Sequence, residues 1–452
     1  MGGGALARRG RRRSQWLVLR PDESVPLSRH RLHVRRRLHD RRAPDPRVGA
    51  AGRSQPAASR TAGERGRPQS AHRAVRPGLR PERVVLRVGG SRRPGSRRPG
   101  ELIEQYFGRS LTVGVEEELW ILDAATLELA PAVEKLVTGS ERRQLPGELK
   151  TELHASVVEL TTGVSEDADE AVERLLELRH VAREIAADSG LLVAASGSYP
   201  TSIPAEQEIA PVDRYRNFVE YAGPSARRQG VSGLHVHIGM PDADSCFRVM
   251  ESILPWLPLV LALSANSPYF ERRDTGMLSI RAEVLGFLPR HGAPPAFRDY
   301  AGWEAFIERV TASGLANDYT SFWWDVRLHP RFGTLEIRAP DQPTSIDQTA
   351  GFVRFLRALC SWALDAPQRE FDPAERGVYQ QNRWAASRFG PHGKLIHPDR
   401  NVAVSVPDLC RELPVPPDGL QTDDCEADRQ LEVGRADGLH AVCADLVERS
   451  VA

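Results

Sequence analysis

From about residue 108 onward, apolar and polar side chains recur at regular intervals, whereas residues 1–100 show no sustained periodicity. Residues 111–122 alternate with period two, the signature of a strand with one buried face, and 149–162 reads as one extended, β-branched segment. Ser165 is expected to cap a helix in which Ala168, Val172, Leu175, Leu176, Ala182 and Ile185 keep a 3.6-residue period as far as Gly190. Further strands are predicted at 191–197, 231–240 and 334–339, and helices at 247–264 and 346–364. The Pro-rich breaks at 289–295 and 413–417 read as loops within one domain, and no internal repeat is visible.

Composition sharpens the contrast between the two parts. The chain has 452 residues, 40% of them hydrophobic, enough for at least one large core. Its net charge of +1 conceals 27 Arg, no Lys and 6 acids in residues 1–100, roughly +21, which leaves about −20 for the remainder. An Arg-, Pro- and Gly-rich segment with few aromatics cannot bury enough surface to offset its ordering entropy, so residues 1–100 are expected to be disordered. A basic arm and a mis-started upstream stretch are both compatible with Arg without Lys. An acidic body lacks the basic face that displaces counterions from phosphates, so no nucleic-acid partner is expected.

Five scattered cysteines, with no Cys-x-x-Cys, point to a reducing, cytoplasmic setting rather than a disulfide framework or a zinc site. The most apolar run, 253–265, is about half a bilayer span and contains Pro255 and Pro258, so it is expected in the core and no membrane partner is expected. No signal peptide is recognised, because Arg8–Arg13 precedes an apolar patch of only four residues, 16–19.

Parity decides which strand residues can share a site. In Gly-Val-Glu-Glu-Glu-Leu-Trp (114–120), Glu116 and Glu118 lie on one face, while Glu117 falls with Val113, Val115 and Leu119 on the apolar face and reads as structural. In Ser-Gly-Leu-His-Val-His-Ile-Gly (232–239), His235 and His237 share a face with Gly233 and Gly239, small residues expected to leave room for a ligand. In Gly-Thr-Leu-Glu-Ile-Arg (333–338), Thr334, Glu336 and Arg338 share one face. Glu152 and Glu159 have opposite parity, so both reach one site only across a bulge or turn. His154, His291, His329 and His397 read as ordinary polar residues.

A solvated strand face would explain any one of these strands, but solvent faces carry Lys, Ser and Thr, whereas here carboxylates and histidines recur between small residues. Oxygen ligands with an imidazole suit Mg²⁺ or Mn²⁺ bridging nucleotide phosphates. No Walker loop, G-x-G-x-x-G or G-x-S-x-G is present, so a nucleotide must be held through metal and Arg. A phosphotransferase, a metal-dependent hydrolase and a catalytically silent binding protein share these requirements in part.

Several ordered blocks resemble the glutamate-cysteine ligase type 2 family, within the glutamine-synthetase-like superfamily. They are 114–118, 152–163, Arg214-Tyr215, 233–239, 262–268 with 275–276 and 279–281, 324–338 and 382–390. The similarity covers about residues 108–450, the expected catalytic domain, and leaves residues 1–100 without a counterpart. It implies an α+β fold, a curved and mainly antiparallel sheet with a polar concave face backed by helices, and divalent ions around ATP. By motif, Glu116, Glu118, Glu152, Glu159, His235 and Glu336 are expected to bind metal and Arg338 to face the phosphates. Arg281, Arg331 and His237 are weaker candidates for nucleotide or substrate binding. The implied reaction joins an amino-acid carboxylate to an amine with cleavage of ATP to ADP and phosphate, glutamate and cysteine being the first choices. A homo-oligomer is left open.

Overall fold

The computed structural model describes residues 106–450; the expectation of a disordered segment at 1–100 lies outside the described residues. Seven strands form the main sheet: β1 (Val113–Asp123), β2 (Glu148–Thr151), β3 (Val157–Thr161), β4 (Leu191–Ala194), β5 (His235–Gly239), β6 (Val326–His329) and β7 (Thr334–Ile337). Their order is β6-β7-β5-β1-β3-β2, with β4 paired to the end of β1. Every pairing in this sheet is antiparallel. The fold is α+β and the sheet is not closed into a barrel.

Alternation along β1 divides the sheet as parity predicts. Val113, Val115, Glu117 and Leu119 are buried while Gly114, Glu116 and Glu118 are half-buried. The apolar face is covered by α1 (Ala168–Ala187), α2 (Ala243–Ile253) and α4 (Ile346–Asp365), α4 packing against both of the others. Glu117 is fully buried there, its carboxylate held by Arg179 from α1 at 2.6 and 2.7 Å, by Gln342 at 2.8 Å and by the Thr349 hydroxyl at 2.7 Å. A buried charge is tolerated only with such full pairing. The structural role expected of Glu117 is therefore that of a pin, tying the back of β1 to the helical layer.

Three local expectations differ from the structure for physical reasons. The segment 149–162 is two strands joined by a turn at 152–156, so Glu152 stands on the turn. The cap of α1 is Asp167, whose carboxylate accepts from the Glu170 amide at 2.9 Å; Ser165 instead exchanges two backbone bonds with Val113, extending the edge of β1. The helix expected over 247–264 breaks at Leu254–Trp256, where Pro255 lacks an amide hydrogen, and resumes as α3 (Leu257–Ser264). Together Ala243–Ser264 are long and apolar enough to cross a membrane by length and composition alone, but 83% of that stretch is packed inside the fold.

Two carboxylate clusters on one sheet face

Cross-strand register assembles the polar face. Glu116 on β1 lies opposite His235 on β5, Glu118 opposite Glu159 on β3, and Glu336 on β7 opposite His237. Among the described residues, two groups bring three ligand atoms within 4.8 Å of one another: Glu116, His237 and Glu336, and Glu118, Glu152 and Glu159. Glu116 and Glu118 are two residues apart on β1, so the groups lie about 7 Å apart along the strand.

In the first group, His237 Nδ1 pairs with the Thr334 hydroxyl at 3.0 Å. That contact leaves Nε2 buried without a hydrogen-bond partner, 3.6 Å from Glu116 and 4.0 Å from Glu336. Arg327 grips Glu336 with two bonds, 2.7 and 2.9 Å, and Arg338 contacts the same carboxylate. Burial alone would raise the Glu336 pKa, but the two guanidiniums outweigh it and hold this carboxyl well below the usual range. Glu116 behaves likewise, burial being outweighed by its two histidines.

The second group is compensated only in part. Burial raises Glu118 to about 7, partly opposed by Arg281. Burial and the Glu118 charge raise Glu152 to about 7, and burial with Glu116 and Glu152 raises Glu159 well above its ordinary value. Its nearest ammonium, Lys150, stands 3.8 Å from Glu159. The Gly233 amide donates to Glu118 at 2.8 Å, and the Tyr215 hydroxyl lies 3.5 Å from Glu152 while donating to Thr151 carbonyl at 2.6 Å.

Both donor sets fit a divalent cation: an orphaned imidazole nitrogen between two carboxylates in one, three carboxyls whose pKa values burial and mutual repulsion raise in the other. His235 stands outside either group of three, its Nδ1 3.3 Å from Glu116 and 3.4 Å from Arg338, and burial with Arg338 lowers its pKa to about 4. Arg338 reaches the polar face beside Glu336. Arg281 is buried close to Glu118, donating to the Arg338 and Ala339 carbonyls at 3.1 and 3.3 Å. Arg331 is exposed and paired with Asp318 at 3.3 Å.

Gly233 and Gly239 make room for the protein itself rather than for a ligand. A Cβ at Gly233 would sit 2.1 Å from the Arg281 guanidinium and one at Gly239 1.9 Å from the Arg109 carbonyl. Sequence reasoning passed over Arg327 and gave His329 no role. Both lie on β6, where Arg327 is opposite Glu336 and His329 opposite Thr334, so the same parity count applied to 326–329 would have placed them on the polar face.

The fold is shared with two crystal structures of ligases. One is a glutamate–cysteine ligase from Francisella tularensis in complex with AMP, with a TM-score of 0.57 and 13% identity over 76% of this chain and 89% of that one. The other is a bifunctional glutathione synthetase from Pasteurella multocida, with a TM-score of 0.51 and 18% identity over 75% and 50% of the respective chains. Fold and sequence relationship together define an ATP-dependent carboxylate–amine ligase. Residues 112–436 match Glutamate-cysteine ligase family 2 (GCS2), and the chain belongs to that family. A provisionally named glutamate–cysteine ligase 2-3 of Rubrobacter xylanophilus is 40% identical over 298 residues, 65% of this chain and 80% of that protein. A provisionally named glutamate–cysteine ligase 2 of Sorangium cellulosum is 33% identical over 368 residues, 77% and 98% respectively.

Proposed function

We propose that this ligase joins the side-chain carboxylate of glutamate to the amine of cysteine through an acyl phosphate, with Mg²⁺ or Mn²⁺ as its cation. The observation that carries the reading is the pairing of the two carboxylate groups on one sheet face, with the orphaned Nε2 of His237 in one of them. Glu116, His237 and Glu336 would hold one cation and Glu118, Glu152 and Glu159 another. Bound there, divalent ions supply charge neutralisation for a transferring phosphoryl group.

A carboxylate is a poor electrophile in water. In the first step a glutamate carboxylate oxygen attacks the γ-phosphorus, the bond to the bridging oxygen breaks, and ADP leaves. In the second the amine nitrogen attacks the acyl carbon, a C–N bond forms, phosphate departs with the former carboxylate oxygen, and the nitrogen gives up a proton. Arg338 is positioned to stabilise the phosphoryl charge, since its guanidinium reaches the polar face beside Glu336, and Arg327 keeps Glu336 ionised. Arg281 supports the strand that carries Arg338. Five free, buried cysteines suit a reducing, cytoplasmic setting.

Glutamate labelled with ¹⁸O in its side-chain carboxylate tests the route. One labelled oxygen is expected in phosphate for each amide formed, and chelation of divalent ions is expected to stop both products. Formation of AMP and pyrophosphate, or phosphate without label whichever carboxylate and amine are supplied, would reject the mechanism.

A further inference from the structure

Among the described residues no large apolar side chain is more exposed than Phe332, at 60%. Single exposed apolar residues are common on protein surfaces and by themselves mean little. The surroundings of this one are different. It occupies the turn between β6 and β7, and its ring stacks on the His329 imidazole with centroids 4.0 Å apart and planes 17° from parallel. His329 is buried, takes the Tyr319 hydroxyl on Nδ1 at 3.2 Å and meets the Tyr319 ring edge-on at 5.0 Å. It also meets the ring of His237 edge-on at 5.4 Å, and the His237 centroid is 5.8 Å from that of Phe332. Phe332, His329 and His237 thus form an aromatic cluster that reaches from the turn to the first carboxylate group.

The turn itself is fixed. Amides of Phe332 and Gly333 both donate to the His329 carbonyl at 3.0 Å. Gly333 has φ +67°, a conformation that favours glycine, and a Cβ there would fall 2.0 Å from the Tyr106 carbonyl oxygen. Phe332 is therefore held with one face backed by an imidazole while much of the ring stays in water. A rigid, flat, half-covered π surface beside the proposed cation group and Arg338 is what a planar heterocycle attached to phosphates would cover.

Resting on the ligase reading above, we infer that Phe332, stacked on His329, is the platform on which the purine of ATP lies, with its phosphates directed toward Arg338 and the cation proposed at Glu116, His237 and Glu336. An aliphatic substrate side chain would gain only contact area there, whereas a base gains stacking as well. His329 acts as a positioning residue that holds the ring.

The full chain carrying Phe332→Ala is compared with wild type for Mg-ATP affinity and for inhibition by Mg-tripolyphosphate, which has the phosphates and no base. Loss of one base–aromatic stack is expected to weaken ATP about tenfold, while tripolyphosphate inhibits as before. Phe332→Trp is expected to restore ATP affinity and to show indole fluorescence quenched by ATP but not by tripolyphosphate. Unchanged ATP affinity in Phe332→Ala, parallel loss of both ligands, or an unquenched indole in Phe332→Trp overturns the stacking while leaving the ligase reading intact. Wild-type protein that binds no ATP overturns both.

Discussion

The Glu116–His237–Glu336 group and the Glu118–Glu152–Glu159 group occupy neighbouring positions on one sheet face, yet the protein treats their charges in opposite ways. In the first, Arg327, Arg338 and two imidazoles hold the carboxyls ionised. In the second, burial and mutual repulsion raise the carboxyl pKa values, with Lys150 the closest ammonium. The difference teaches that the two groups are prepared for different partners. Guanidiniums beside the first can also meet phosphate oxygens, so nucleotide charge belongs there. Arg281, Arg214 and Lys150 offset the second only in part, so a cation bound there is expected to add most to stability.

The largest effect is expected from breaking the first group. Glu336→Ala removes a proposed ligand and leaves Arg327 and Arg338 without their shared carboxylate. Turnover should fall by about a hundredfold or more, because charge stabilisation at the phosphoryl group is lost. Leu335 and Ile337 keep the apolar packing of β7, but buried Arg327 loses its counter-charge, so stability should drop by about 3–5 kcal/mol as well. Steady-state rates with thermal unfolding alongside check both halves; normal rate and normal Mg²⁺ dependence would remove Glu336 from the site.

A smaller effect of opposite sign is expected in the second group. Glu118 and Glu152 move from 4.5 to about 7 on folding, so the metal-free protein holds protons that the unfolded chain has released. Stability of the metal-free form therefore falls as pH rises from about 4.5 to 7, and Mg²⁺, which must displace those protons, should stabilise the protein more at pH 8 than at pH 5.5. Glu159→Gln removes one repelling charge. Above pH 7 it should stabilise the metal-free protein by about 1–3 kcal/mol, a few degrees in melting temperature, while reducing the gain from Mg²⁺. Melting curves at two pH values with and without Mg²⁺ decide it; a gain from Mg²⁺ that ignores both pH and Glu159 would erase the contrast between the groups.

Much of this site was legible because a strand has period two. Three consecutive glutamates separate cleanly into Glu117 behind the sheet and Glu116 and Glu118 before it, and the opposite parity of Glu152 and Glu159 demands the turn that the structure contains. Parity is silent on distinctions within a face. His235 and His237 share one, and only the register of β5 against β1 and β7, with Thr334 orienting one ring, sets their atoms apart. The glycines misled for a related reason: their small size records close approach of Arg281 and of the Arg109 backbone, partners remote in sequence. The cap of α1 shifted from Ser165 to Asp167 because edge pairing with Val113 claims the serine backbone, a tertiary demand with no local signal.

The two histidines allow the finest test of the comparison. His237 presents a buried nitrogen with no hydrogen-bond partner between two carboxylates, as a ligand does, whereas the Nδ1 of His235 is already shared between Glu116 and Arg338. Such an outer partner orients a ligand without binding metal, and its loss costs about tenfold in metal affinity at the low end of measured cases. His235→Asn should therefore raise the Mg²⁺ concentration for half-maximal activity by about tenfold and leave near-normal turnover at saturating Mg²⁺. His237→Asn should lose turnover that added Mg²⁺ does not restore. Mg²⁺ titrations of the two variants at fixed ATP separate the roles, and the reverse result, with His235→Asn beyond rescue and His237→Asn rescued, would make His235 the ligand and His237 its support.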